Sequence, residues 1–341
     1  YEIEIVSNLK TVPFFHLDDN VRLSFLNIEK FKQKNRFKTL WKLFRFTNPR
    51  RNQYFIFNKA VYIPYLFFLK KLGFIDDSVK LIYFIHGGSS DLKIYYNKVK
   101  TYMINSTIQK VIASHDDYEN YNSPIKKTLK RKILDSIFLI DSDQNILKKT
   151  TYIPNPISFP RSILSTDKAK IILSVGRLDY IKGFDILIKA WGLIFQKHTD
   201  WKMQIIGSGE EKDRLENLIL ESGIKNVELI AQQNCIEDFY KKSSIYVMSS
   251  REEGFPMVLL EAMACGLPII SFANEGAKAI IENEKTGILV KLLDEKELSM
   301  TITKLIQDKE LRERFGHNAH LEAKTYDINY IGPKWNEVLN I

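Results

Sequence analysis

Residues 244 to 272, "SIYVMSSREEGFPMVLLEAMACGLPIISF", decide the fold. "SIYVMSS" is a short apolar, β-rich run and predicts a strand; "REEGF" carries a glycine and predicts a turn. "PMVLLEAMAC" then predicts a helix, with Pro256 at its first position and Gly266 just past its end, and "LPIISF" the following strand. A strand, turn, helix and strand in so few residues make a parallel unit. Its helix amino terminus, with unpaired N–H groups and a favourable dipole, suits an anion such as phosphate. Glu253 falls in the turn beside that terminus. Glu261 falls eight residues later in a helix apolar on every side, so its carboxylate is expected to be buried with the helix. An unpaired buried charge would cost several kcal/mol, roughly, so Glu261 needs donors. Those could be structural, from Lys or backbone N–H groups, or they could be the hydroxyls of a ligand.

The same strand and helix alternation extends in both directions. "IEIVS", "YFIF", "LIYFIHGG", "KVIAS", "IILSVGR", "MQIIGSG" and "VELI" are apolar nearly throughout, as strands buried on both faces are, and stretches of helical period separate them. The fold class expected is α/β, with two doubly wound domains. "IPNPISFP", Ile153 to Pro160, holds three prolines and suits neither a helix nor a central strand. The domain junction is placed there. Two such domains would bind ligands beyond the carboxyl ends of their strands.

The 341 residues carry a net charge of +9, distributed unevenly. Residues 1 to 150 hold 26 Lys+Arg against 14 Asp+Glu; the remainder holds 24 against 27. The stretch Lys30 to Arg51 contains nine Lys/Arg and no acid, and Phe37, Leu40, Trp41 and Phe44 share one helical face. Such a segment suits an anionic membrane surface; its apolar face could equally pack on a core while its cations are solvated. Nucleic acid could also take a basic patch, but the rear half is slightly acidic and no nucleic-acid motif is present. The longest apolar stretch, Tyr54 to Leu69, is interrupted by Asn58, Lys59 and Pro64 and falls short of the roughly 20 residues that span a bilayer. Cys235 and Cys265 form neither a disulfide framework nor a zinc pattern, which points to a reducing cytoplasm.

"EGFPMVLLE", two Glu residues separated by seven, resembles the signature of retaining glycosyltransferases of family 4, which have the GT-B fold. "SVGRLDYIKGFDILIKAW" (174 to 191), "IIGSGEEKDRLENLI" (205 to 219) and "ANEGAKAIIENEKTGILV" (273 to 290) resemble further blocks of that family in the same order. The resemblance implies a GT-B protein with two Rossmann-like domains facing a cleft. An acceptor domain would occupy 1–153 and a nucleotide-sugar domain 161–322, while residues 323–341 would form a helix crossing back. It further implies that Arg177 and Lys182 hold the donor diphosphate, Glu253 contacts the transferred sugar, and Glu261 accepts from the ribose. Gly207 and the "GFPM" backbone with Val258 (Gly254, Phe255, Pro256, Met257) would line the donor. His86, following the strand "LIYFI", would lie near the sugar and acceptor; a hydrogen-bonded loop His beside Gly87 and Gly88 is the plainer alternative. The family's first strand and glycine-rich loop would precede Tyr1, so the chain is expected to lack its native start.

The activity implied is metal-independent, retaining transfer of a hexose or N-acetylhexosamine. The donor would be a UDP- or GDP-linked sugar used as substrate, and no cofactor is expected. The acceptor expected is a growing, lipid-linked surface glycan, reached from the cytoplasmic membrane face through the basic segment, with no nucleic-acid partner. An epimerase of the same fold and a non-catalytic lipid- or nucleic-acid-binding derivative are the alternatives. Asp141 and Asp143 in "SIFLIDSDQN" could instead chelate a divalent metal as a DxD motif, or be a solvated turn.

Overall fold

The computed structural model describes residues 3–7, 21–25, 54–57, 71–72, 75, 80–85, 110–113, 150–159, 161 and 168–339. The chain divides into two compact units, each drawn from several stretches of sequence, and the last boundary between them falls between Thr151 and Tyr152, immediately before the proline-rich segment. The first unit carries β1 (Ile3–Ser7), β2 (Val21–Phe25), β3 (Tyr54–Phe57), β4 (Lys80–Ile85), all but the last residue of β5 (Lys110–Ala113) and the start of β6 (Thr150–Tyr152). β1 pairs in parallel with β2, and β3 to β6 form a four-stranded sheet in chain order.

The second unit is a six-stranded parallel sheet. Its strands are β7 (Ile171–Val175), β8 (Lys202–Ile206), β9 (Val227–Ile230), β10 (Ile245–Met248), β11 (Ile269–Phe272) and β12 (Gly287–Val290). They lie in the order β12-β11-β10-β7-β8-β9. This is the doubly wound order in which the first strand of one half abuts the first strand of the other. The helices are α1 (Phe184–Gly192), α2 (Lys212–Glu221), α3 (Ile236–Lys242), α4 (Met257–Ala264), α5 (Glu275–Ile280), α6 (Glu295–Gln307), α7 (Lys309–Glu322) and α8 (Ile328–Leu339).

Alternation along the strands fills both faces of this sheet. Ile172, Met203, Ile205, Ile245, Val247, Ile270 and Phe272 enter one core, against α1 and α6. Leu173, Ile206, Tyr246, Met248 and Ile269 enter the other, against α4. Both faces being covered is why the strands read as continuous apolar runs. β2 and β6 give no such signal, "VRLSF" being mixed and "TTY" polar, while β12, "GILV", is apolar throughout and adds a strand to those expected.

α4 follows the expected span but is one residue shorter at each end, with Cys265 closing it as a cap. Pro256 is its cap, with φ −76° and ψ 99°, and the helix begins at Met257. The exit is a Schellman closure: Gly266 adopts φ 62°, its N–H donates to the Met263 carbonyl, and the Leu267 N–H donates to the Ala262 carbonyl. Leu259, Leu260, Ala262 and Met263 are fully buried. Burying each of the larger side chains stabilises the unit by roughly 1.5–3 kcal/mol. α8 belongs to this second unit and follows the turn Ala323–Tyr326. No helix among the described residues is long and apolar enough to cross a membrane.

Candidate active site

β7 and β10 are neighbours whose connections leave in opposite directions, so the loops after their carboxyl ends form the switch point of the sheet. The loop after β7 is built around a tight turn at Tyr180–Lys182. Asp179 opens it by accepting from the Lys182 N–H (3.1 Å), and Gly183 closes it at φ 66°. A Cβ at Gly183 would stand 2.1 Å from the Ser249 carbonyl oxygen, so glycine is needed for both conformation and space. Ser249 Oγ donates to the Lys182 carbonyl (3.0 Å), and the Arg251 N–H donates to the Ile181 carbonyl (2.7 Å). The two loops are thereby stitched together by one side-chain and one backbone hydrogen bond.

These stitches bring Lys182 to Glu253. Lys182 Nζ lies 2.6 Å from Glu253 Oε1, with the side chains 24% and 12% exposed. Ser250 Oγ donates to the same oxygen at 2.7 Å. The turn carrying Glu253 is fixed in turn by α5: Asn274 Nδ2 donates to the Ser250 carbonyl, and the Gly276 N–H to the Glu253 carbonyl. A Cβ on Gly276 would come within 2.8 Å of that carbonyl oxygen and of Pro256. A half-buried carboxylate is thus set against an ammonium at the switch point, an arrangement that can face a charged ligand with both signs.

One turn further along α4, Glu261 differs from the expectation. It is half-buried, because the helix turns this one side away from the core, and among the described residues it meets neither Lys nor backbone N–H. Two hydroxyls donate to it: Ser158 Oγ to Oε1 (2.5 Å) and Tyr240 Oη to Oε2 (2.8 Å). Tyr240 is fully buried, and burial, then the neighbouring Tyr246 and Glu261, push its phenol well above the ordinary range, so it remains a donor. Neither hydroxyl was marked by the sequence. Tyr240 sits in the unremarkable helix "IEDFYKK", and Ser158 among the prolines of the junction. The available signal was the need of Glu261 for donors, which named no residue.

Arg177 stands at the end of β7, mostly exposed, with Nε 2.5 Å from Asp179 Oδ2. It does not join the Lys182–Glu253 pair. Gly207 closes β8 against β7: a Cβ there would lie 1.9 Å from the Gly176 carbonyl oxygen. Gly254 lies in the turn, the Phe255 ring stands 6.1 Å from that of Tyr326, and Met257 and Val258 open α4 half-buried. His86, Gly87, Gly88, Asp141, Asp143 and the basic stretch Lys30 to Arg51 with its apolar face lie outside the described residues. Among the described residues, no cluster of three His, Cys, Asp or Glu side chains is arranged to hold a metal.

The family model for Glycosyl transferases group 1 matches residues 158–322, the span that contains both loops and α4. An uncharacterized glycosyltransferase of Haemophilus influenzae is 31% identical over 251 residues, 70% of this chain and 71% of that protein. A Campylobacter jejuni protein named N-acetylgalactosamine-N,N'-diacetylbacillosaminyl-diphospho-undecaprenol 4-alpha-N-acetylgalactosaminyltransferase is 32% identical over 162 residues. That match takes in 47% of this chain and only 44% of the Campylobacter protein. Among solved structures, Anabaena HepE in complex with UDP and glucose superposes with a TM-score of 0.72 at 18% identity, over 94% of this chain and 86% of HepE. That likeness establishes the GT-B fold. The switch-point loops and their carboxylates thus fall inside the matched span, and with a relative of this identity and coverage the chain belongs to the glycosyl transferases group 1 family: it is a glycosyltransferase of GT-B fold.

Proposed function

We propose that the protein is a retaining family 4 enzyme that moves a hexose or N-acetylhexosamine from a UDP- or GDP-linked donor to a growing, lipid-linked surface glycan. The observation that carries this reading is the Lys182–Glu253 pair at the switch point, with Glu261 eight residues on, along α4. Breaking the anomeric C–O bond leaves negative charge on a diphosphate, which fixed cations must stabilise as it develops. Lys182 supplies a mobile ammonium beside the carboxylate, and Arg177 a guanidinium at the end of β7 with most of its surface exposed. Glu253 would contact the sugar, and Glu261, already accepting from hydroxyls, would accept from the ribose.

Retention would follow front-face attack, with the departing diphosphate oxygen taking the acceptor proton. No protein base is then required, and no metal. The lipid-linked acceptor rests on the Campylobacter relative's name and on the basic front segment, which also motivates a peripheral place on the cytoplasmic membrane face.

Transfer tests this with UDP- and GDP-linked glucose, galactose, N-acetylglucosamine and N-acetylgalactosamine, undecaprenyl-diphosphate glycans as acceptors, and product anomers read by NMR. Retained configuration, persisting in EDTA, is expected. Inversion, or loss of activity on chelation, contradicts the retaining or the metal-independent part respectively.

A further inference from the structure

Arg251 lies between the residues discussed so far and belongs to neither carboxylate. Its Nη1 and Nη2 meet Asp185 Oδ1 and Oδ2, both at 2.9 Å, in a two-pronged pair. Nη1 also donates to the Tyr180 carbonyl (2.6 Å), and the guanidinium carbon stands 3.9 Å from the Tyr180 ring centroid. With the Arg251 N–H on the Ile181 carbonyl, this one residue grips the chain at Tyr180, Ile181 and Asp185. Lys182 lies inside that grip. The same chain reaches Glu253 two residues beyond Arg251. The pair is well shielded, 17% and 12% exposed, and Arg214, itself paired with Glu211, approaches Asp185 at 4.0 Å.

We propose that Arg251 is a positioning residue: its fork on Asp185 and its stack on Tyr180 hold the Lys182 turn at the distance from the Glu253 turn that donor binding requires. Only a planar guanidinium can satisfy two carboxylate oxygens, a carbonyl and a ring face together; a lysine would keep the charge and lose the fork. Asp185 also sits in the first turn of α1, where a carboxylate is favoured, so the grip anchors the turn to a rigid element. This role rests on the reading that Lys182 meets the donor diphosphate.

The test is the affinity of the full chain for UDP and for uridine, with GDP and guanosine run alongside, in wild type, Lys182→Ala, Arg251→Lys and the double variant. Arg251→Lys is expected to weaken the diphosphate about tenfold and to change the nucleoside less than about twofold. In the Lys182→Ala background it should add almost nothing, since both changes remove one contact. Asp185→Asn, which removes the fork from the other side, should give the same selective loss and stands in should Arg251→Lys fold poorly. Equal weakening of diphosphate and nucleoside, or losses that add fully to Lys182→Ala, would make Arg251 a structural residue only and overturn the proposal. Failure of Lys182→Ala itself to weaken either diphosphate would instead overturn the donor-site reading.

Discussion

Glu253 and Glu261 have the same side chain, stand one in the turn before α4 and one within that helix, and are both partly shielded, yet they are satisfied in opposite ways. Glu253 has a cation: Lys182 and a serine converge on one oxygen, on a turn fastened by Asn274 and Gly276. Among the described residues, Glu261 has only neutral hydroxyls, one on each oxygen. A carboxylate held by an ammonium has its charge answered before any ligand arrives. One held by hydroxyls has no cation beside it and is left with acceptor capacity that further hydroxyl donors would suit. The difference teaches that a spacing motif fixes where the acids stand, while residues far away in the chain decide what answers each of them.

The comparison is broken most severely at the Glu253 end. Gly276→Ala would push a methyl against the Glu253 carbonyl and Pro256, where the backbone has no room to yield. A destabilisation of about 1–3 kcal/mol is expected from the overpacking, by chemical denaturation, together with a loss of transfer larger than any substitution at Tyr240 or Ser158 produces. Full activity at wild-type stability would show that the turn tolerates movement.

At the Glu261 end the two hydroxyls are unequal. Tyr240→Phe removes a buried donor and should cost about 1 kcal/mol of stability. Ser158 is exposed, and Ser158→Ala should cost only a few tenths of a kcal/mol. Equal costs would mean that the Ser158 contact is as firmly held as the Tyr240 one.

The smallest expected effect is in pH dependence, beside the Glu253 end. Burial acts to raise the Asp185 carboxyl, but the hydrogen bonds and charge of Arg251, with Arg214, outweigh it and leave the group below the ordinary range. A depressed folded-state pKa stabilises the fold above the unfolded value, near 4, and that contribution disappears as pH falls through the folded one. The melting temperature of wild type should therefore exceed that of Asp185→Asn at neutral pH, and the gap should close below about pH 4. A gap unchanged at low pH would mean that ionisation of Asp185 is irrelevant.

Much of this was legible in the sequence. The strands of the second unit announced themselves because burial on both faces leaves no room for polar alternation, and Gly266 marked the end of α4 because only its φ of 62° closes the helix there. Glu253 and Glu261 stood out in their turn and helix, and Lys182 through the family resemblance. Their partners did not: the distances from Ser158 to Glu261 and from Asp185 to Arg251 run over 103 and 66 residues of chain, and no local pattern encodes a pairing made by the sheet. The burial of Glu261 was overestimated because an apolar helix leaves its one polar side unmarked until packing shows which way it turns. β12 is four apolar residues, as β3 and β10 are, and was equally legible, but it was not singled out as a strand.

The central claim is that the Glu261 carboxylate receives the donor's ribose. The direct measurement is calorimetric affinity for UDP and 2′-deoxy-UDP, or for GDP and 2′-deoxy-GDP if guanine binds better, in wild type and Glu261→Gln. Wild type should prefer the ribonucleotide by roughly tenfold, the scale of one charge-assisted hydrogen bond, and Glu261→Gln should lose most of that preference. An undiminished preference in Glu261→Gln would contradict the account.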